Sequence, residues 1–256
     1  PILVAETEGH HAPIRSLLWD GSFSLLSGGL DKVVKVWEFG DGVRLSRTIR
    51  PMIWRGTRGM IYTMAITPRP DERGDRYLAV AGSGILSQGG EITVYRYPGK
   101  NGEGTGEPVA RLFGPGANDP GHRNYVISLA FDSTGKILAS GGADHTAILW
   151  ERAGDTFRHR ATLRGHTGEI HALAFTKDDK RLITTGWRNR QTQLADGTVR
   201  AWDVATGAQV DLFSGPIANS GINTLAIHPR GESLVVGREN GSLVQLDPRN
   251  LAQVAP

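Results

Sequence analysis

Three sets of side chains in this sequence combine a histidine, a hydroxyl and a carboxylate, the members of a hydrolytic triad. Each set also contains a tryptophan, and in all three the aspartate lies six residues before it. The sets are His10, Ser27, Asp31 and Trp37; His122, Ser140, Asp144 and Trp150; and His166, Thr184, Asp196 and Trp202. A hydrolase needs one such site, and no Gly-x-Ser-x-Gly elbow accompanies these. Their threefold recurrence therefore favours a structural role over catalysis.

The elements that must position these sets form a repeat that occurs five times. Five six-residue segments align without gaps, with apolar residues at positions one, four and six and small residues at position three and mostly at five. They are residues 14–19, 61–66, 126–131, 170–175 and 222–227. This pattern predicts a strand buried on both faces rather than an amphipathic helix.

Each segment is followed by a turn sequence and by further strand-like runs. The second strand is predicted at 24–28, 77–81, 137–141, 182–185 and 233–236. The third, which alternates, is predicted at 33–37, 91–95, 147–150, 198–202 and 242–246. A looser fourth strand precedes the next copy at 45–49, 109–113, 156–163 and 209–213. Four antiparallel strands per unit predict an all-β fold, a β-propeller of four-stranded blades.

The repeat, with its His, Ser/Thr, Asp and Trp residues, resembles the WD-repeat family over about the whole chain. The resemblance implies that each Asp lies in the turn before the third strand and pairs with the His, which bonds the hydroxyl that reaches the Trp N–H. Such a set joins the strands of one blade, because buried N–H groups need partners. The second copy has Gly89 and Tyr95 in place of Asp and Trp, and the fifth has Asn240 and Leu246. We therefore expect these two blades to rely on apolar packing and to be softer.

We expect one propeller domain, residues 1–256, with blades at approximately 9–39, 45–97, 109–152, 156–204 and 209–248. Residues 1–8 include the apolar run Ile2-Leu3-Val4-Ala5, interpreted as a closing strand that completes the last blade and protects its edge. WD-repeat rings most often have seven blades. The resemblance therefore leaves open a closed five-bladed ring, part of a larger propeller that lacks two blades here, and a chain with a second propeller after Pro256.

The composition excludes several classes of function. Cysteine is absent, which excludes disulfides, thiolate zinc sites and a cysteine nucleophile. No apolar run has the length of a membrane span and no signal peptide is recognisable, so we expect a cytoplasmic protein. His145 and His159 lack partners at metal-ligand spacing, so neither a metal nor another cofactor is expected. The arginine-rich composition also resembles WD-repeat parts of large bacterial multidomain proteins.

Partner binding is expected on the face where loops lead into the first strands and join the second strands to the third. The second position of the first strand varies between copies, and the nearby loops carry arginines and aromatic residues. The fourth copy adds an insertion of about eight residues there, and such loops often make contacts. The predicted partner-binding residues are Arg15, Trp54, Arg55, Arg58, Tyr62, Arg123, His171, Trp187, Arg188, Arg190 and Arg238.

These residues predict binding rather than catalysis. Arginine makes up 23 of the 29 basic residues, and guanidinium groups pair with carboxylates and phosphates while aromatic rings stack. We therefore expect a non-catalytic scaffold that binds an acidic protein or peptide. Binding of nucleic acid or a phosphopeptide on the same face is the alternative. A propeller hydrolase is weaker, because the channel mouth offers only His171. Neither a membrane nor a small-molecule substrate is expected.

Overall fold

The computed structural model describes residues 9–21, 24–51, 58–84, 89–97, 108–113, 120–214 and 220–254. Nineteen β-strands in this part of the chain form five antiparallel sheets, one for each copy of the repeat. The prediction of an all-β propeller with five blades is confirmed. No helix in these residues is long and apolar enough to cross a membrane.

The strands follow the repeat copy by copy. Blade 1 contains Ile14–Trp19 (β1), Ser24–Gly29 (β2), Val34–Phe39 (β3) and Val43–Ile49 (β4). Blade 2 contains Ile61–Ile66 (β5), Arg76–Ser83 (β6), Gly90–Tyr97 (β7) and Pro108–Phe113 (β8). Blade 3 contains Val126–Phe131 (β9), Ile137–Gly142 (β10), Thr146–Ala153 (β11) and Thr156–Arg164 (β12). Blade 4 contains Ile170–Phe175 (β13), Arg181–Gly186 (β14), Thr198–Asp203 (β15) and Gln209–Ser214 (β16). Blade 5 contains Ile222–Ile227 (β17), Leu234–Arg238 (β18) and Leu243–Leu246 (β19).

Within a blade, each strand pairs with the next strand in the sequence. The turn after β9 shows the chemistry. Asp132 Oδ1 accepts a hydrogen bond from the backbone N–H of Ile137 at 3.0 Å. Gly135 adopts a φ of +68°, which glycine tolerates better than other residues. Each blade is therefore assembled from local contacts.

The apolar core of the described residues lies between blades, in four clusters at the 1/2, 2/3, 3/4 and 4/5 interfaces. Strand β6 shows how one sheet serves two interfaces. Leu78 and Val80 face blade 1, whereas Tyr77, Ala79 and Ala81 face blade 3. Because alternate residues of a strand point to opposite faces, a blade with neighbours on both sides buries both sets.

The first strands of successive blades, β1, β5, β9, β13 and β17, lie side by side and are called the inner strands below. At the far edge of blade 5, the chain turns after β19 and Gln253 forms a bridge with Leu246. The backbone N–H of Val254 donates to the carbonyl of Gln245 at 3.0 Å. The C-terminal residues thus begin the fourth-strand position of this blade. Residues 1–8, predicted to occupy that edge, lie outside the described residues.

Candidate partner-binding site

The His, Ser, Asp and Trp residues of blade 3 form one chain of hydrogen bonds. The Trp150 indole N–H donates to Ser140 Oγ at 2.9 Å, and Ser140 Oγ lies 2.8 Å from His122 Nε2. An indole nitrogen can only donate, so the Ser140 hydroxyl is free to donate its own proton to Nε2. His122 Nδ1–H then donates to the Asp144 carboxylate at 3.0 Å.

Blades 1 and 4 contain the same arrangement. In blade 1 the indole of Trp37 lies 2.7 Å from Ser27 Oγ. The His10 ring completes the chain, at 2.6 Å from that hydroxyl and 2.8 Å from Asp31. The corresponding blade 4 distances are 2.8 Å, 2.8 Å and 3.0 Å, and they join Trp202, Thr184, His166 and Asp196. The three chains lie in separate blades, so each connects the strands of its own sheet.

The order carboxylate, imidazole, hydroxyl is that of a hydrolytic triad, yet burial prevents hydrolysis here. Ser140 and Thr184 are 0% exposed and Ser27 is 1% exposed. Each hydroxyl oxygen also accepts the indole N–H. This hydrogen bond occupies a lone pair that the oxygen would need in order to act as a nucleophile. No cluster of three His, Asp or Glu side chains that could hold a metal occurs among the described residues. These buried side chains therefore join the strands of their own blades.

The pKa values of all three carboxyl groups, Asp31, Asp144 and Asp196, lie below the usual value, so these groups are held ionised. Burial alone would raise the pKa of Asp144, but hydrogen bonds from His122 and from the N–H of Arg123 outweigh it and lower the pKa to about 2. Burial lowers the pKa of His166, against the opposing effect of Asp196. A neutral imidazole with its proton on Nδ1 satisfies both neighbours.

Blades 2 and 5 replace the hydrogen-bond chain with close backbone packing and a local turn. At Gly89, where other copies have Asp, an added Cβ would lie 2.3 Å from the carbonyl oxygen of His122. The segment leading into blade 3 thus takes the space that a carboxylate would fill. In blade 5, Asn240 Oδ1 accepts the backbone N–H of Ser242 at 3.0 Å and closes a turn.

Several predicted partner-binding residues meet where the inner strands begin. The Arg15 guanidinium lies 5.8 Å from the centre of the Tyr62 ring. Tyr62 stacks on Tyr125, with ring centres 5.7 Å apart. Burial and Tyr125 raise the pKa of Tyr62, while the positive charges of Arg190 and Arg15 oppose the rise. Side chains of blades 1, 2, 3 and 4 therefore influence one phenol.

The blade 4 part of this site is built around a buried carboxylate. Glu169, with its side chain 1% exposed, accepts a hydrogen bond from His171 Nε2 at 3.2 Å and pairs with Arg190. The His171 ring lies 4.4 Å from the ring of Trp187, whose indole N–H is buried without a hydrogen-bond partner. We name these side chains together the mouth cluster, which consists of Arg15, Tyr62, Tyr125, Glu169, His171, Trp187 and Arg190.

The other predicted residues lie elsewhere. Arg188 forms an ion pair with Glu239 of blade 5, at 2.7 Å. Arg238 is buried beside the Phe213 ring and presents no guanidinium to solvent. Arg123 is exposed and Arg58 half-buried. Trp54 and Arg55 lie outside the described residues.

Sequence reasoning missed Tyr125, Glu169 and Glu239. The first two immediately precede β9 and β13, one position before the start of an inner strand. The residue before each inner strand could have been included among the candidates from the sequence, because it lies two residues before the variable second position of that strand. Nothing in the sequence pairs Glu239 with Arg188, because they lie 51 residues apart.

Comparisons with known proteins match this chain at the same repeats. The sequence profile of the family described as "WD domain, G-beta repeat" matches residues 2–38, 114–151 and 157–203. These matches cover the three copies that have the hydrogen-bond chain.

Two curated proteins illustrate the likeness. The Saccharomyces cerevisiae guanine nucleotide-binding protein subunit beta is 24% identical over 97% of this chain and 52% of its own length. The Arabidopsis thaliana THO complex subunit 3 is 32% identical over 50% of this chain and 38% of its own. The chain spans between a fifth and about half of the length of such relatives.

A solved structure shows the same fold. The WD40 β-propeller domain of Doa1 superimposes with a TM-score of 0.70 at 18% identity. The match covers 98% of this chain and 71% of the other.

Proposed function

Because this chain belongs to the WD-repeat β-propeller family, we propose that it is a non-catalytic platform that holds another protein at the mouth cluster. The observation that carries the proposal is the convergence of aromatic rings and arginines from four blades at one end of the inner strands. A rigid scaffold that positions such side chains loses little conformational entropy when it binds.

A protein partner is also favoured by the relatives. Two of them are named as subunits, one of a guanine nucleotide-binding protein and one of the THO complex. The hydroxyls of the three hydrogen-bond chains are buried, so none of these three side chains is available as a nucleophile. Both observations favour binding over catalysis.

The charges of the site favour an acidic partner. Glu169 pairs with Arg190, and Glu239 with Arg188, which neutralises these two arginines. Among the described residues, Arg15, Arg58 and Arg123 have no carboxylate partner. Of these, Arg15 lies beside the stacked rings of Tyr62 and Tyr125, where carboxylates and apolar side chains of one peptide can both be accommodated.

The first experiment measures fluorescence anisotropy of a labelled peptide rich in Glu and Tyr with the wild-type chain and two variants. Arg15→Glu reverses an exposed charge in the mouth cluster, and Arg69→Glu reverses one at the opposite end of β5. We expect the first variant to weaken binding by about tenfold or more, equivalent to about 1.4 kcal/mol. The second should stay within twofold of wild type.

Equal losses in the two variants would show that net charge, and not the mouth cluster, attracts the peptide. A salt titration distinguishes the nucleic-acid alternative, because binding through phosphates weakens steeply with ionic strength. A labelled single-stranded RNA that binds more tightly than the peptide at low salt, and that loses affinity in Arg15→Glu, would replace the proposed partner class.

A further inference from the structure

A cleft lies between blades 4 and 5, at the end of the inner strands opposite the mouth cluster. Its volume is about 500 Å³. Its walls come from the turn after β13, from the turn after β17 and from residues 248–249, which follow β19. Glu169 of the mouth cluster precedes β13 and Thr176 of the cleft follows it. The length of this extended strand, about 20 Å, therefore separates the two sites.

The side chains that line the cleft are mostly cationic. They include two lysines and three arginines, whereas Asp178 supplies the one carboxylate of the lining. Three of the cations belong to blade 4 and two to blade 5, so positive charges from two sheets meet at one space. We name these cations together the basic cleft, which consists of Lys177, Lys180, Arg181, Arg230 and Arg249.

Two of the arginines are held in place by aspartates that do not line the cleft. Arg181 Nη1 donates to Asp211 Oδ2 at 2.7 Å. The Arg249 guanidinium donates to both carboxylate oxygens of Asp247, at 2.9 Å and 2.6 Å. Hydrogen bonds from Arg249, together with the more distant charge of Arg181, lower the pKa of Asp247. Because a guanidinium has five N–H donors, both oriented arginines keep donors for a ligand.

Lys177 and Arg230 supply charge that the protein does not neutralise. Both side chains are exposed, and neither has a carboxylate partner among the described residues. The turns that carry them are in contact, because a Cβ added to Gly231 would lie 3.0 Å from Lys177 Cβ. Lys180 differs, since a hydrogen bond from Thr176 and the charge of Lys180 lower the pKa of Asp178. Two uncompensated positive charges from neighbouring blades are thus available to an anion.

This arrangement fits a phosphate monoester better than a carboxylate. At neutral pH a phosphomonoester carries a charge of about −1.5 to −2 and three strong acceptor oxygens, whereas a carboxylate carries one charge and two oxygens. Guanidinium groups bind phosphate through paired N–H donors, and lysine binds it as a point charge. Three arginines and two lysines therefore offer more donors and charge than a carboxylate uses.

We propose that the basic cleft binds a phosphorylated serine or threonine of a partner protein. Its volume favours a peptide over a free phosphate ion, because pockets of about 300–1,000 Å³ hold whole ligands and a phosphate group fills only part of such a space. Residues that flank the phosphorylated side chain occupy the remainder, between the turns of the two blades. The basic cleft binds this segment whether or not the mouth cluster is occupied.

The test begins with three libraries of short peptides that have degenerate flanking positions and a fixed central residue, which is phosphoserine, serine or glutamate. Each library is passed over the immobilised protein and the retained peptide is quantified. We expect retention of the phosphoserine library to exceed that of either other library by about tenfold or more. The best-retained phosphopeptide is then labelled, and its Kd is measured by fluorescence anisotropy.

Charge reversals locate the binding site. Arg230→Glu is the main variant and Arg69→Glu its matched control, because each arginine follows a proline and lies three residues after the end of an inner strand. We expect Arg230→Glu to weaken binding of the phosphopeptide by about tenfold or more, and Arg69→Glu to stay within about twofold. Lys177→Glu should cause a similar loss from the blade 4 side, which tests the site independently of the blade 5 turn.

Equal retention of the phosphoserine and serine libraries would overturn the proposal, as would equal retention of the phosphoserine and glutamate libraries. Inorganic phosphate should displace the labelled phosphopeptide only at a concentration about a hundredfold above that of the unlabelled phosphopeptide. Displacement at equal concentrations would show that the ligand is free phosphate.

Arg15→Glu separates this proposal from the function proposed for the mouth cluster. It should leave the affinity for the phosphopeptide within about twofold of wild type, whatever its effect on the acidic peptide. A loss in Arg15→Glu as large as that in Arg230→Glu would place the phosphopeptide at the mouth cluster and contradict a site in the basic cleft.

Discussion

At the scale of single residues, the hydrogen-bond chains combine burial with full satisfaction of polar groups. Asp144 accepts from His122, from the backbone N–H of Arg123 at 2.7 Å and from the Thr146 hydroxyl at 2.8 Å. A buried carboxylate is costly unless it is compensated in this way. The residue types were readable from the sequence, because the hydroxyl follows the histidine by 17 or 18 residues and the tryptophan follows the aspartate by six in every set.

The Asp144 carboxylate should make stability depend on pH in the acid range. Its folded-state pKa of about 2 lies below the usual value of 3.8, so its contribution is present above pH 4 and is lost as the pH falls through 2. This shift corresponds to about 2 kcal/mol. We expect the stability difference between wild type and Asp144→Asn, measured by urea unfolding, to shrink by about that amount between pH 5 and pH 2. Asp41→Asn, at an exposed turn, is the control, and a difference independent of pH would contradict the assignment.

At the scale of elements, the end of the second strand determines how closely histidine and aspartate approach the sheet. In blade 3 a Cβ at Gly142 would lie 2.5 Å from His122 Nδ1 and 2.6 Å from Asp144 Oδ1. In blade 4 a Cβ at Gly186 would lie 2.3 Å from the Asp196 carboxyl carbon. Glycine at this point of the strand therefore leaves the space that the ring and the carboxylate occupy.

Gly142→Ala tests this role. The added methyl group should displace His122 or Asp144 and destabilise the protein by about 1–3 kcal/mol, the usual range for overpacking. Gly42→Ala is the matched control, because a Cβ there has no neighbour within 4 Å and alanine reduces the entropy of the unfolded chain. Chemical denaturation measures both variants. A Gly142→Ala protein as stable as the control would show that the strand shifts to admit the methyl group at little cost.

At the scale of the whole molecule, two features predict different orders of rigidity for blades 1 and 2. One is coverage by neighbouring blades, and the other is the hydrogen-bond chain within a blade. Blade 1 has the His10 chain but one uncovered face, whereas blade 2 lacks the chain and is covered on both sides. The sequence alone favours a softer blade 2. The packing between blades instead favours a softer blade 1, because segments with more buried apolar contacts open locally less often.

Hydrogen–deuterium exchange of the 256-residue chain decides between them. We expect the amides of β6 in blade 2 to exchange more slowly than those of β2 in blade 1, and blade 3, with both features, to be the slowest. Strands β17–β19 should exchange fastest. Slower exchange in β2 than in β6 would show that the hydrogen-bond chain outweighs coverage by a neighbour.

The sequence by itself determined the five repeats, the order of strands in each blade and the three copies that contain His, Asp and Trp. These features depend on strand pairing between sequence neighbours, on turn residues and on side-chain spacing within one blade, all of which are local. For the same reason the departures at Gly89 and Asn240 were visible in the sequence.

Only the tertiary structure determined the contacts and the burial of side chains between blades. It neutralised Arg188 and Arg190 with Glu239 and Glu169, buried Arg238, stacked Tyr125 on Tyr62 and left Leu243 exposed. These outcomes depend on how rigid sheets lie against one another, and side chains far apart in the sequence meet only there. A pattern that repeats along the chain predicts each blade, whereas the surface between blades depends on which neighbour is present.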